Sequence, residues 1–538
     1  MSRGTTEFSR NTAMSHPPGE SQSRFSPFLI LLAASLLFRL PPLLNSNGVH
    51  SDAAVVGLQA RHILAGEWSW FLWGAGYQGS VEALLIALGF AVAGATPLTL
   101  MVMLLIGHLG IIWFTFDILR RRIGARLAVI ASLPLVFTPL AINGPALFPQ
   151  RQWCITFIFA AIWLLDGASE SRRSLTRYAA AGAVTVLALY QDLYVLQFMI
   201  AMAVLAVTCS LDGEAGKTMA WRRLRAGALG FAGAMGLFCL IRQAPHDRVV
   251  VTRLALHEIP DNWQLLWDKC LPWLLSYKVF IPGPDLAPDF WEGPASFRLL
   301  QIVGACCLMG GVLLGSRWLF VVQLPWRVRR LGLFGFLVSV SSLSGFLLSP
   351  APRDAWAARY LAPIIWTAPL ALAPTAHALG QRRFGLLLLP YLAAATVAGW
   401  LGYVPSVRTP VPGSHSHSAT RSAVYPEAAY PEERLAAFLR CRGIAYGAAP
   451  YWVAYRLTFL FAENPIIVPL EPGEDRYQPY RHGFETTPTV AYIFHPSQPA
   501  LQPQPYERDL RAQGFASERV EIAGFTVLIV DRTLRASP

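Results

Sequence analysis

Charge is scarce in this sequence of 538 residues: Asp, Glu, Lys and Arg together make up 14% of it. A soluble chain of that length needs more charge to cover its surface, so a free-standing water-soluble enzyme is excluded. Acids are scarcer than bases, 32 against 44, which leaves a formal net charge of +12. That excess is not a nucleic-acid footprint. The arginines cluster in short loops between apolar runs, the topogenic pattern of cytoplasmic loops, and no nucleic-acid partner is expected. Seven cysteines give no disulfide framework. Cys154, Cys209, Cys239, Cys306 and Cys307 lie in or beside apolar runs. Cys270 and Cys441 fall outside them and read as lone small core residues, with pairing as the alternative. No metal-ligand spacing, no nucleotide-binding motif and no internal repeat occurs. His415 and His417 lack further ligands nearby.

What is present is apolar sequence, 54% of the chain. Several runs approach the ~20 residues needed to cross a bilayer. The expectation is a polytopic α-helical membrane protein with about 11 transmembrane helices plus juxtamembrane helices. The spans are Ser26 to Leu44, Leu98 to Ile118, Leu127 to Ile142, Trp153 to Leu165, and two within Tyr178 to Leu211 broken at Gln191-Asp192. Ala226 to Ile241, Leu299 to Gly315, Leu331 to Leu348, Leu361 to Leu379 and Phe384 to Val404 follow. Ala83 to Ala95 is too short to cross comfortably. If it stays juxtamembrane or re-entrant, every arginine cluster falls on the cytoplasmic side.

The organisation that follows is a disordered cytoplasmic leader (1–25), a transmembrane core (26–404) whose first outer loop is 45–97, a linker (405–424), and a soluble extracytoplasmic α/β domain (425–538). The first span has no small-residue cleavage site and reads as an uncleaved anchor. In the tail, Glu432 to Arg440 and Tyr506 to Gln513 read as helices. Tyr451 to Phe461, Pro465 to Pro469, Thr489 to Phe494 and Phe525 to Val530 read as strands.

The stretch Val49 to Gly66 carries the strongest chemical signal. Asp52 stands just beyond the first span and opens a helix in which Ala53, Val56, Ala60, Ile63 and Leu64 share one side. Asp52, Gln59 and His62 share another, as expected for a helix on the membrane surface. Asp52 reads either as the helix N-cap or as a catalytic carboxylate. Glu82 interrupts an almost apolar run, and an acid at membrane depth is a functional candidate because burying it is costly. Asp192 sits at a break between two spans, where it either ends a helix or joins a site. Arginines on the outer side are the natural holders of a phosphate, since a guanidinium pairs with it bidentately. Arg359 and Arg353, in the segment Pro352 to Pro363, are the first candidates. Arg39, Arg151 and Arg242 read as snorkelling to the outer interface, with Arg151 kept as a candidate phosphate ligand. His50 is placed to tune Asp52. Tyr446, Tyr451, Trp452 and Tyr455 read as strand core, with sugar stacking as the alternative.

These residues together resemble the GT-C glycosyltransferases: the protein O-mannosyltransferases, the lipid A aminoarabinose transferase, and the bacterial family 39 and RgtA–D-like group. The resemblance rests on Asp52, Ala54, Ala60, Leu64 and Gly66; on Gly76, Tyr77, Gly79, Ser80 and Glu82; and on Arg-Tyr-Leu-Ala-Pro at Arg359 to Pro363. It covers most of Ser26 to Val404. It implies a sugar transferred from a polyprenyl-phosphate carrier to a lipid, glycan or protein acceptor at the outer face of a bacterial cytoplasmic membrane. By resemblance Asp52 and Glu82 are the catalytic acids, and Arg359, Arg353, Tyr77, Asp192 and Arg151 hold substrate or phosphate. No cofactor is demanded, and a divalent cation is left open. The chain departs from the pattern in two places. Many relatives have Asp-Glu where this chain has Asp52-Ala53, and many have a second acid in the next outer loop, where Asn143 to Gln152 has none. A transporter or flippase of lipid-linked saccharides and an inactive GT-C relative acting as a binding partner are the alternative functions.

Overall fold

The computed structural model of the chain describes residues 26–44, 46–139, 151–212, 216–244, 255–277, 279–282, 288–291, 294–321, 323–408, 431–495 and 502–535. The leader, the loop 140–150 and most of the linker, with His415 and His417, lie outside the described residues.

The chain is a polytopic α-helical membrane protein with a small sheet domain at its C-terminal end. Eight described helices are long and apolar enough to cross a membrane. Three expected spans are not among them: the helices Ala125–Val136, Ser174–Gln191 and Ala362–Ala371. Proline accounts for two of these, because Pro134 and Pro369 each remove a helical donor and crowd the preceding turn. The last long helix, Ala373–Arg408, bends at Gly380, whose φ of 71° lies in the left-handed region that glycine adopts at little cost. The break expected at Gln191-Asp192 is present: a helix ends at Gln191 and a 3₁₀ segment, Leu193–Phe198, begins beyond Asp192. The helix Val81–Ala93 has 13 residues, too few to cross a bilayer upright.

The helix Gln152–Asp166 links two poles of the bundle. At its far end Asp166 is fully buried and meets Arg122 at 2.9 Å and Arg330 at 2.9 Å. Arg330 also binds Asp212, and Arg327 reaches Glu170 at 2.7 Å. Arg122 and Arg330 thus each have a carboxylate opposite them, which keeps such charges tolerable in a low-dielectric interior. Arg151 stands at the other end of this helix, in a different environment described below.

The C-terminal domain has a five-stranded sheet. Its order is Ile466–Pro469, Tyr446–Ala449, Thr489–Phe494, Phe525–Arg535 and Phe515–Ile522. The first three strands are parallel and the last two antiparallel to their neighbours. Tyr451–Leu460, expected as a strand, is an α-helix. The run is buried from Val453 to Phe459, so it shows no amphipathic period, and a short apolar run does not declare helix or strand by periodicity.

This helix lies against the Asp52 helix, Ser51–Leu64, and overturns its expected place on the membrane surface. Residues Ala53 to Ala60 are buried all round. Gln59, expected on a wet face, is buried and donates to the Phe71 carbonyl at 2.9 Å. The small side chains let two partners approach at once. At Gly57 an added Cβ would stand 2.7 Å from the Phe459 ring. Arg61 donates to the Phe459 carbonyl at 2.8 Å and to that of Ala95 at 3.0 Å. At the other end, the Ser51 hydroxyl donates to the Tyr451 carbonyl at 2.6 Å.

His62 closes the contact. Its Nδ1 meets Glu67 at 2.6 Å and its Nε2 meets Glu463, from the C-terminal domain, at 2.9 Å. Burial opposes the imidazolium, but the hydrogen bonds to Glu463 and Glu67 outweigh it and raise the His62 pKa above its ordinary 6.5.

Two outcomes follow for this interface. Gly57→Leu forces the Phe459 ring aside and weakens domain docking by roughly 1–3 kcal/mol, read as faster limited proteolysis of the C-terminal domain with the transmembrane helices intact. The His62 contribution is fully present below the ordinary imidazole pKa and is lost as pH rises through the raised folded value. Docking measured by hydrogen exchange over 451–460 therefore loosens with rising pH in the wild type. In His62→Phe that pH dependence is absent.

Candidate active site

A cavity of about 450 Å³ opens where five segments of the chain meet. The start of the Asp52 helix supplies His50, Asp52 and Val55. The hairpin of Phe71–Leu72 and Ala75–Gly79 supplies Trp73, Tyr77 and Gln78. Arg151 enters from the head of the helix Gln152–Asp166, and Arg359 and Tyr360 from the 3₁₀ segment Ala355–Leu361. The C-terminal domain supplies Tyr451, Trp452, Glu474, Asp475 and Arg476.

Asp52 is not the N-cap. His50 holds that position in extended conformation, with no side-chain capping bond, and Asp52 lies inside the first turn. Its carboxylate instead accepts a 2.5 Å hydrogen bond from the Tyr451 hydroxyl. A carboxylate in a helix's first turn is stabilised by the helix dipole. Burial, reinforced by Arg359 and opposed by Asp52, lowers the His50 pKa and keeps its imidazole neutral.

Arg359 is a guanidinium with no carboxylate partner among the described residues. Its Nη2 donates to the Tyr360 hydroxyl at 3.3 Å, its Cζ lies 5.2 Å from the centre of that ring, and its buried Nε has no acceptor among the described residues. A half-buried cation at a cavity wall, with no carboxylate opposite it among the described residues, can receive an anion. The Tyr194 hydroxyl fixes the segment by donating to the Arg359 carbonyl at 2.6 Å.

Arg151 is anchored from one side. Its Nε donates to Asp192 at 3.2 Å, and Asp192 in turn accepts from Gln78 at 2.7 Å and from the Tyr194 backbone N–H at 2.8 Å. Its guanidinium lies 4.7 Å from the Tyr194 ring. Asp192 therefore both caps its 3₁₀ segment and aims Arg151, which answers the choice its sequence position left open. A second cavity, of about 480 Å³, lies beyond Arg151 and is lined by Asp192, Gln197 and Phe346. Tyr77, Arg151 and Tyr360 line both cavities.

The structure thus gathers Asp52, Tyr77, Arg151 and Arg359 at one cavity, with Asp192 one residue behind. Glu82 and Arg353 line neither cavity. The Glu82 carboxylate is buried and accepts from the Trp153 backbone N–H at 3.4 Å, at the head of the helix Gln152–Asp166. Arg353 is exposed. Among the described residues no cluster of three metal-ligating side chains occurs.

Sequence reasoning missed Tyr360 and Arg476 and gave Tyr451 a different role. Arg476 donates from Nε to the Tyr451 hydroxyl at 3.1 Å and from Nη1 to the Gly74 carbonyl at 2.8 Å. Tyr360 follows Arg359 directly in the Arg-Tyr-Leu-Ala-Pro motif, so its signal was visible. Tyr451 and Arg476 had none, because their partners are roughly 400 residues away.

No protein-family model matches the sequence, and no curated protein does. Solved structures do. ArnT from Cupriavidus metallidurans, bound to undecaprenyl phosphate, superposes with a TM-score of 0.58 at 12% identity, over 96% of this chain and 100% of that one. The same protein in the apo state gives 0.55 at 11% identity, over 95% and 98%. The fold is GT-C. The Archaeoglobus fulgidus oligosaccharyltransferase in its apo form aligns at 0.45 with 14% identity over 87% of this chain and 70% of that one. The cavity lies between the helical bundle and the C-terminal domain.

The geometry makes Asp192 the support of Arg151. Asp192→Asn removes the charge partner while keeping the size, so Arg151 is expected to lose its fixed position. A structure of the variant should show the guanidinium displaced from Tyr194, with the Asp52–Tyr451 contact unchanged.

Proposed function

We propose that this protein is an integral-membrane glycosyltransferase that moves a sugar from a polyprenyl-phosphate carrier to an envelope acceptor. We place the reaction at the outer face of a bacterial cytoplasmic membrane. The observation that carries the reading is the juxtaposition, at one cavity, of the Asp52 carboxylate and the Arg359 guanidinium, which has no carboxylate partner among the described residues.

The chemistry follows from that pair. An acceptor hydroxyl attacks the anomeric carbon of the donor, and Asp52 takes its proton. The new glycosidic C–O bond forms as the bond from the anomeric carbon to the phosphate oxygen breaks, which inverts the anomeric centre. The departing lipid phosphate keeps the electron pair, and Arg359 and Arg151 meet the charge that develops. A phosphate-linked sugar is already activated, so no nucleotide is required. The second cavity, reached past Tyr77, Arg151 and Tyr360, gives the carrier a path that leaves its phosphate beside the cations. ArnT, which shares the fold, binds undecaprenyl phosphate, and that supports the choice of donor class.

Topology supports the side. Arg122, Arg327 and Arg330 collect at the Asp166 pole of the helix Gln152–Asp166, while the cavity stands at its Arg151 pole. The positive-inside rule makes the first pole cytoplasmic and the cavity, with the C-terminal domain, extracytoplasmic. The exposed Trp68, Trp70, Trp263 and Trp267 suit a membrane interface.

Asp52→Asn should lower transfer by about 10²–10⁴-fold while leaving undecaprenyl phosphate binding intact. Arg359→Gln should weaken that binding by roughly 10- to 100-fold. Mass spectrometry of envelope glycans, in cells lacking the protein and restored with each form, reads the first effect. Binding to purified protein in nanodiscs reads the second. Full transfer by Asp52→Asn would refute the assignment.

A further inference from the structure

The C-terminal domain does more than cover the cavity. Its strands Tyr446–Ala449 and Ile466–Pro469 are parallel neighbours. The segments leaving their carboxyl ends carry Tyr451 and Arg476, both at the cavity wall. Tyr446–Ala449 lies between strands that follow it in sequence on either side, so the chain winds both ways from it. The crevice at such a reversal, outside the carboxyl ends of the strands, is where open α/β sheets bind ligands. Tyr451, just beyond the carboxyl end of Tyr446–Ala449, meets Asp52.

Three bonds connect the domain to the carboxylate. Arg476 donates to the Gly74 carbonyl at 2.8 Å and to the Tyr451 hydroxyl at 3.1 Å, and Tyr451 donates to Asp52 at 2.5 Å. The Ser51 hydroxyl, one residue before Asp52, donates to the Tyr451 carbonyl at 2.6 Å. Tyr451 is thus held at its backbone and at its hydroxyl. The tyrosine remains protonated, because burial and the neighbouring Asp52 raise its pKa. A proton it cannot surrender at neutral pH is donated to the carboxylate continuously.

We propose that Tyr451 and Arg476 are positioning residues for Asp52, so that the C-terminal domain completes the catalytic site. The relay fixes the orientation of the carboxylate that takes the acceptor's proton. His50, Tyr77, Arg151, Arg359, Glu474 and Asp475 also line this cavity. The inference rests on the transferase reading for its purpose, but its test does not.

The test reads the hydrogen bond at Asp52. Full-length protein in nanodiscs, labelled with ¹³C-aspartate, is compared by infrared difference spectroscopy, with Asp52→Asn identifying the band. A hydrogen bond accepted by a carboxylate polarises it, so losing the bond shifts its stretching frequency. Tyr451→Phe should displace the Asp52 band, with the unfolding temperature unchanged. Arg476→Gln should displace it in the same direction by less, and it stands as the test if Tyr451→Phe does not fold. An unmoved band in the folded variants overturns the proposal even if the wild type transfers sugar. A moved band in a protein that transfers none upholds it and sinks the transferase reading alone.

Discussion

The half-buried Asp52 carboxylate sits between two bodies that are far apart in sequence, and the site depends on what holds it there. A carboxylate partly removed from water needs hydrogen bonds in place of the hydration it loses. At Asp52 one comes from the C-terminal domain, through the Tyr451 hydroxyl. The contact requires the Asp52 helix to be thin. Ala53, Ala54, Gly57 and Ala60 make it so, and Phe459 fills the space that Gly57 leaves. The same small side chains let the helix lie against the bundle behind it. Sequence, packing and chemistry meet in those few residues.

Charge is divided between two poles of the bundle. At one, Asp166 and Asp212 pair with Arg122 and Arg330, and the cations there are neutralised. At the other, Arg151 has one carboxylate behind it, and Arg359 has none among the described residues. The first arrangement holds helices together. The second leaves positive potential at a cavity wall, where an anion can use it. Paired and unpaired arginines look the same in a sequence, which shows only their positions along the chain.

Legibility followed the range of the interactions. The helical break at Asp192, the short helix from Val81, and the strands at Ile466 and Thr489 are local matters of proline, polarity and alternation, and they were readable. Asp52, Tyr77, Arg151 and Arg359 were named from motifs and from the topology of charge. Glu82 was singled out as an acid in an apolar run, and its carboxylate meets a helix N-terminus instead of the cavity. The helix Tyr451–Leu460 was read as a strand because both of its sides are apolar. Its apolarity comes from being packed against the Asp52 helix, a contact that no local pattern records. The roles of Tyr451 and Arg476 were hidden for the same reason.

The central claim is spatial: a lipid-linked phosphate and the Asp52 carboxylate share one cavity, on opposite sides of the bond that breaks. A cryo-electron microscopy structure of the full chain with undecaprenyl phosphate tests it directly. The account places the phosphate within hydrogen-bond reach of Arg359 and Arg151, with the isoprenoid chain running past Tyr77 and Tyr360 into the second cavity. A phosphate bound elsewhere, with Arg359 still turned to Tyr360 and the Asp52 cavity filled only by water, would contradict it.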